Sequence, residues 1–388
     1  MLCLGICTYA QKKEIAQARE MVKKGNNLAQ AENMMLALLK DSANRANDKI
    51  WLTLFEAQKK QYDQGNEKLY LKQAYDTVAL FTMVRKMFVT LEAFDSVDAQ
   101  PDDKGKVRLI YRKRHAALLN VYRRNLYNGG AYFVNHRKYQ EAYRFFDTYI
   151  DCGRQPLFAS YKYQETDADM PSAAYWATYC GYKMRDPKAT LHHTYMALKD
   201  TAHYHFMLQY LAETYKQEND TARYLGALKE GFSKYPRFPF FFPRLIECYT
   251  GRGEYGQALS LCNQALQIDS TSSLYLFSKS SVLLSLRRYP ESIAICDQLI
   301  ARHDSIHGIY LNAGLGYFNQ AVEMDKQLKQ TAKQRKDIVT LYQKALPYLE
   351  KYRILEPKDK QLWGLPLYTI YLNLNMGKEF DEIDKILK

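Results

Sequence analysis

A 34-residue period runs from Lys199 to Asn319, and no other feature of this chain limits its fold as strongly. Tyr215, Tyr249, Leu283 and Tyr317 are spaced 249 − 215 = 34, 283 − 249 = 34 and 317 − 283 = 34. A second series, Ala197, Gly231, Ala265 and Leu299, keeps the same interval. What recurs is residue size as well as apolar character. Such a period predicts units of two helices, each unable to bury its apolar face alone, so that neighbours must stack. No segment alternates with period two for long enough to predict a sheet.

Aligning the periods gives the unit in detail. Around Leu245 and Tyr249 a first helix ends at Gly253-Glu254-Tyr255; Ala258, Cys262 and Ala265 then mark a second helix, closed by Asp269-Ser270. The preceding unit carries Leu208, Leu211, Ala212, Tyr215, Gly231 and Pro236; the following one carries Leu276, Ser280, Leu283, Tyr289, Ser292, Cys296 and Leu299. A further unit opens at Tyr310, Gly314 and Tyr317 and resumes at Tyr342, Ala345, Leu349, Tyr352 and Pro357. These residues resemble the tetratricopeptide repeat (TPR) family. The resemblance implies an all-α, right-handed superhelix of stacked hairpins with an inner groove lined by first helices. It also implies a protein or peptide partner rather than a reaction.

Three divisions are expected: a signal-peptide remnant over 1–10, degenerate helical repeats over 11–98, and a repeat array over 106–388. DAQPDDKG (98–105) supplies the break between the last two. Displacements of the register predict insertions near 153–170 and 320–338. The final helices, Leu362 to Leu387, would cap the array with polar positions such as Lys378 and Glu382.

The apolar Met1–Cys7 stretch, with Thr8 and Ala10 at a small-x-small site before Gln11-Lys12-Lys13, fits the end of a signal peptide. Export to the periplasm with soluble release is therefore expected; the alternative is a frayed first helix in a cytoplasmic protein. No later stretch is long and apolar enough to span a membrane. Five cysteines follow residue 10, an odd number, and Cys262 and Cys296 occupy small apolar register positions, as buried thiols do. The 33 tyrosines read as rings packed between helices with hydroxyls at the surface.

The groove implied by the resemblance falls on Phe206, Gln209, Glu213 and Lys216, then Phe240, Glu247 and Thr250, then Phe277 and Ser281, then Leu311 and Phe318. The family's carboxylate clamp needs a lysine and an asparagine where this chain has Gln209 and Glu213, so an amphipathic or extended apolar segment is the better ligand. A second surface is basic. Fifty-five Lys and Arg against 42 Asp and Glu give a net charge of +13, and Arg108, Arg112, Lys113, Arg114, Arg123 and Arg124 are densely set within 106–124. They could bind a lipid headgroup or polysaccharide of the envelope, or simply line a solvated helix face. Nucleic acid is not the expected partner.

Catalytic motifs are few. Gly251 to Gly256 spells GxGxxG but follows a helix and falls on a repeat turn, not after a strand. His192, His193, His203 and His205 cluster in sequence, but neighbours on a continuous helix diverge and no carboxylate completes HExxH. The repeat fold keeps a metal open as the minor reading by bringing a second helix near the next first helix. The sequence contains no Walker loop, CxxC pair or GxSxG elbow. A non-catalytic scaffold without cofactor or metal is the expectation.

Overall fold

Second helices begin at Thr221, Tyr255 and Tyr289, spaced 255 − 221 = 34 and 289 − 255 = 34, so the period in the sequence is also the period of the elements. In the computed structural model the backbone is described for residues 2–102, 104–326 and 331–388, and side chains for the same residues from Gln11 onward. Among the described residues every long element is a helix, and the sole β feature is an isolated antiparallel bridge between Pro101 and Val107. The chain divides into two units, Met1–Ala227 and Leu228–Lys388.

The first unit contains α1 (Leu2–Lys24), α2 (Leu28–Leu38), α3 (Asp48–Tyr70), α4 (Thr77–Asp98), α5 (Arg112–Asn135), α6 (Tyr139–Asp151), the short α7 (Tyr163–Thr166), α8 (Met170–Met184), α9 (Pro187–His192), α10 (Thr194–Ala197) and α11 (Tyr204–Gln217). The division falls within α12 (Thr221–Lys234). In the second unit lie α13 (Phe241–Gly251), α14 (Tyr255–Ile268), α15 (Ser273–Ser285), α16 (Tyr289–Ala301), α17 (Gly308–Asp325), α18 (Ala332–Leu355), α19 (Lys360–Asn373) and α20 (Gly377–Leu387). Side chains 1–10, which carry the signal-peptide reading, lie outside the described residues.

The repeat positions pack as their sizes require. Ala197, Ala265 and Leu299 are fully buried and Gly231 is buried with them. Leu283 and Tyr249 are buried and Tyr215 and Tyr317 half-buried. Small residues let the helices approach, and the large ones fill the space between. Gly253, at φ 70°, turns the chain between α13 and α14, so GxGxxG is a repeat turn here.

The break and the two insertions each have a distinct structure. The 98–105 break does not separate two cores: Phe94 of α4 packs its ring 5.2 Å from Tyr111 and 5.6 Å from His115, and Arg112 grips Asp95 through two 2.8 Å bonds. Asp98 accepts from the backbone N–H of Tyr111 at 3.0 Å, which ties the end of α4 to the start of α5. The 153–170 insertion is a buttress rather than an open loop. A 3₁₀ turn over Pro156–Tyr161 buries Leu157 and Phe158, the latter stacked 5.9 Å from Phe88. The 320–338 insertion lengthens both α17 and α18, with Thr331 and Gln334 forming a capping box; residues 327–330 of that expectation lie outside the described residues.

Tyrosine hydroxyls do more than reach the surface. Tyr182 donates to Glu213 at 2.5 Å, Tyr289 to Glu323 at 2.7 Å, Tyr348 to Asp297 at 2.8 Å and Tyr371 to Glu350 at 3.1 Å. Each bond joins two helices of one unit. A ring that fills an interhelical gap and a hydroxyl that ties its far side is a reason for so many tyrosines.

Candidate functional sites

The groove residues meet different fates. In the first unit Phe206 is half-buried, stacked 6.3 Å from Tyr210. Gln209 and Glu213 are half-buried and Lys216 is exposed. Glu213 belongs to a polar cleft of about 610 Å³ with Tyr182, Arg185 and Gln217. In the second unit Phe240 is 6% exposed, so it is a core side chain rather than a groove wall. Glu247 is exposed, and the half-buried Thr250 hydroxyl donates back to the Ile246 carbonyl at 2.8 Å. Ser281 accepts from Asn312 Nδ2 at 2.8 Å. Phe277 covers the start of α17 at Gly308, and Phe318 packs 6.0 Å from Tyr342. Leu311 is half-buried against the same C-terminal cluster as Phe318. The apolar groove residues are therefore largely consumed by neighbouring helices.

The basic stretch is mostly neutralised by its own chain. Arg108 lies 3.4 Å from Asp102, Arg112 is held by Asp95, and Arg124 pairs with Asp169. Arg123 is 6% exposed, sandwiched 3.8 Å from the rings of both Tyr149 and Tyr163 and paired with Asp167. Burial alone would raise the Asp167 carboxyl, but hydrogen bonds from Tyr149 and Arg123 outweigh it and hold the group below its ordinary value. Lys113 and Arg114 are exposed. Arg123 is thus an internal cation of the 153–170 buttress, out of reach of an external anion.

One constellation was missed by sequence spacing. Asp147 and Asp151 sit one turn apart on α6 and share a face. Facing them are His192 and His193, and the candidate ligand atoms of all four lie within 4.8 Å of one another. His193 is buried, with Nε2 2.7 Å from Asp147 Oδ1, while the half-exposed His192 places Nε2 3.9 Å from the same oxygen. The two rings converge at 4.3 Å because the helix does not run through them: α9 ends at His192, and His193 takes φ −107° and ψ 16° before α10 begins. The divergence expected of a continuous helix is thereby removed. His193 Nδ1 is buried without a partner. Burial, with the nearby Asp147 charge, raises the Asp151 carboxyl, and His193, Arg154 and His192 oppose that shift. His203 stands apart from this cluster, bonded to Asp200 at 2.9 Å and stacked 4.2 Å from Tyr175; His205 lies 4.2 Å from the Phe206 ring. The carboxylates come from a preceding hairpin, a pairing no local motif could signal.

A third feature is an apolar helix face. Leu362, Leu365 and Leu372 of α19 are 40%, 67% and 55% exposed. Their spacings of 365 − 362 = 3 and 372 − 365 = 7 set them on one side of the helix. Beside α19, Ile354, Pro357, Trp363 and Ile386 line a cleft of about 590 Å³ with Arg353 and Lys360 at its edge. α20 presents the exposed Lys378 and Glu382, as a polar cap does, but α19 does not.

No family model and no curated protein matches this chain. Among solved structures it is similar to the P58(IPK) TPR domain, at 13% identity and a TM-score of 0.29, over 95% of this chain and 99% of that one. No described helix is long and apolar enough to cross a membrane.

Proposed function

We propose that this chain is a non-catalytic scaffold that holds another protein, and that the partner docks an amphipathic helix on the leucine face of α19. The observation that carries the reading is that three large apolar side chains share one helix face and stay in water. Clustered exposed leucines are unfavourable unless something covers them. A row at spacings of three and seven is complementary to the apolar stripe of another helix, whose anchors recur at i, i+3 and i+7.

Export belongs to the same proposal and rests on the sequence of residues 1–10. Processing after Ala10 would leave Gln11 as the first residue of a periplasmic protein with peripheral envelope partners. Terminal mass spectrometry of the natural protein, finding Gln11 or an intact Met1, decides it. The anionic-component reading gains no support, because four of its six cations already face carboxylates of this chain.

The test is affinity purification with quantitative mass spectrometry, comparing the parent with Leu365→Asp/Leu372→Asp. Both side chains are exposed, so the helical content should not change. Selective loss of a protein partner supports the reading; the same partners at the same recovery reject it.

A further inference from the structure

We propose that Asp147, Asp151, His192 and His193 bind one transition-metal dication of the zinc class, which clips α6 to α9. The donor set is two imidazole nitrogens and two carboxylate oxygens. Magnesium and calcium favour all-oxygen shells, whereas imidazole with carboxylate suits zinc and its neighbours. Two aspartates also balance a double positive charge with neutral imidazoles, and among the described groups near Asp151 the guanidinium of Arg154 is 3.7 Å away and half-exposed.

The geometry is close to what coordination needs. Four donors about 2.0–2.2 Å from a tetrahedral zinc lie about 3.3–3.6 Å apart. Here the Asp147 oxygen stands 2.7 Å from one imidazole nitrogen and 3.9 Å from the other, on either side of that spacing, with 4.8 Å the upper bound for all four. The metal would take the place of the proton between His193 and Asp147. Two of the four side chains have room to adjust: His192 is 49% exposed and the Asp151 side chain 35%. His193 and Asp147 are the pre-positioned half, since their 2.7 Å contact is already made and the His193 ring is fully buried.

The place in the fold gives the site a structural role. α6 is the second helix of one hairpin and α9 belongs to the next, and the chain between them contains the 153–170 buttress. A bond from Asp147 to His193 closes 193 − 147 = 46 residues of chain, at the point where the regular stacking interval is interrupted. Coordination there would fasten two hairpins that the insertion pushes apart in sequence.

The full chain, stripped of metal by chelation, is titrated with Zn²⁺ alone in a calorimeter, and with Co²⁺ in a spectrophotometer. One equivalent of Zn²⁺ is expected, with a rise in melting temperature, and Co²⁺ should show four-coordinate d–d bands without thiolate charge transfer. His192→Ala removes a half-exposed ring and Asp151→Asn keeps its shape, so both should fold. Each should weaken Zn²⁺ at least tenfold, since the loss of even an outer partner of a metal ligand costs about 10–100-fold, and each should abolish the metal-dependent rise in melting temperature. The proposal is overturned if the parent takes up no equivalent at millimolar Zn²⁺, or if both variants bind as the parent does. A thiolate transition with Co²⁺ overturns it as well, whatever the behaviour of the variants.

Discussion

Gly181→Ala should unfold the first unit at a markedly lower temperature, although alanine is the better helix former. Gly181 lies in α8 where it meets the first turn of α9. A Cβ there would stand 2.4 Å from Thr190 N and 2.7 Å from both Ala189 C and Thr190 Cα. These are backbone atoms, so no rotamer change relieves the contact. Restoring ordinary separation needs a displacement of about 1 Å, in a packed interior where overpacking costs about 1–3 kcal/mol and sometimes more. That movement would also strain the Asp186 cap, whose carboxylate accepts from Ala189 N at 3.1 Å. Because the clash is with backbone, the cost belongs at the upper end, about 3 kcal/mol; alanine returns about 1 kcal/mol of helix propensity, which leaves a net loss of about 2 kcal/mol. For a unit of this size that is about 4–8 °C in melting temperature. The control is Gly226→Ala in α12, where a Cβ meets nothing within 4 Å and propensity should act alone, adding about 0.5–1 kcal/mol. Circular-dichroism melts of both variants give the answer. If Gly181→Ala melts with or above the parent, the close approach of α8 and α9 is not what limits that position.

Ala265→Leu should cost about 1–3 kcal/mol in urea unfolding, because Ala265 is fully buried in α14 and leucine adds three carbons to a packed interior. Arg123→Leu should cost about 3–5 kcal/mol, since it leaves the Asp167 carboxylate in the buttress without its cation. Asp167 itself has a depressed folded value, so its stabilisation is present above the ordinary carboxylate range and is lost as pH falls through the folded value; Asp167→Asn should flatten that acid limb of the stability profile. Glu92 is the opposite case. Burial pushes its carboxyl up to about 7, so the folded state holds a proton the unfolded state has released, and stability falls as pH rises from about 4.5 to 7. Glu92→Gln should remove that fall and stabilise the protein at pH 8 by about 1–3 kcal/mol, with little effect at pH 5.

The repeating interior was legible because it rests on local period and residue size. Ala258, Cys262, Ala265 and Leu299 are at most 0% exposed, and the matched tyrosines are buried or half-buried, since only one face of each helix can meet its neighbour. Positions facing away from the hairpin were less legible. Phe240 and Phe277 carry the spacing of groove residues, yet the former is core and the latter covers the next helix, because spacing assigns a face without saying what else packs there. Arg123 read as part of a surface patch, and the carboxylate that claims it, Asp167, comes from an insertion outside the register. The Asp147–His193 pairing was hidden twice: the donors lie in different hairpins, and a helix break at His193 is needed to turn both imidazoles one way. Such breaks leave no periodic trace.

Hydrogen–deuterium exchange of the chain, alone and in the complex recovered with its partner, tests the scaffold most directly. Strong added protection over Lys360–Asn373, with the adjoining end of α18 following, is the predicted result, since the α19 leucines would be covered. Protection confined to other helices, with α19 exchanging as in the free chain, would contradict the account.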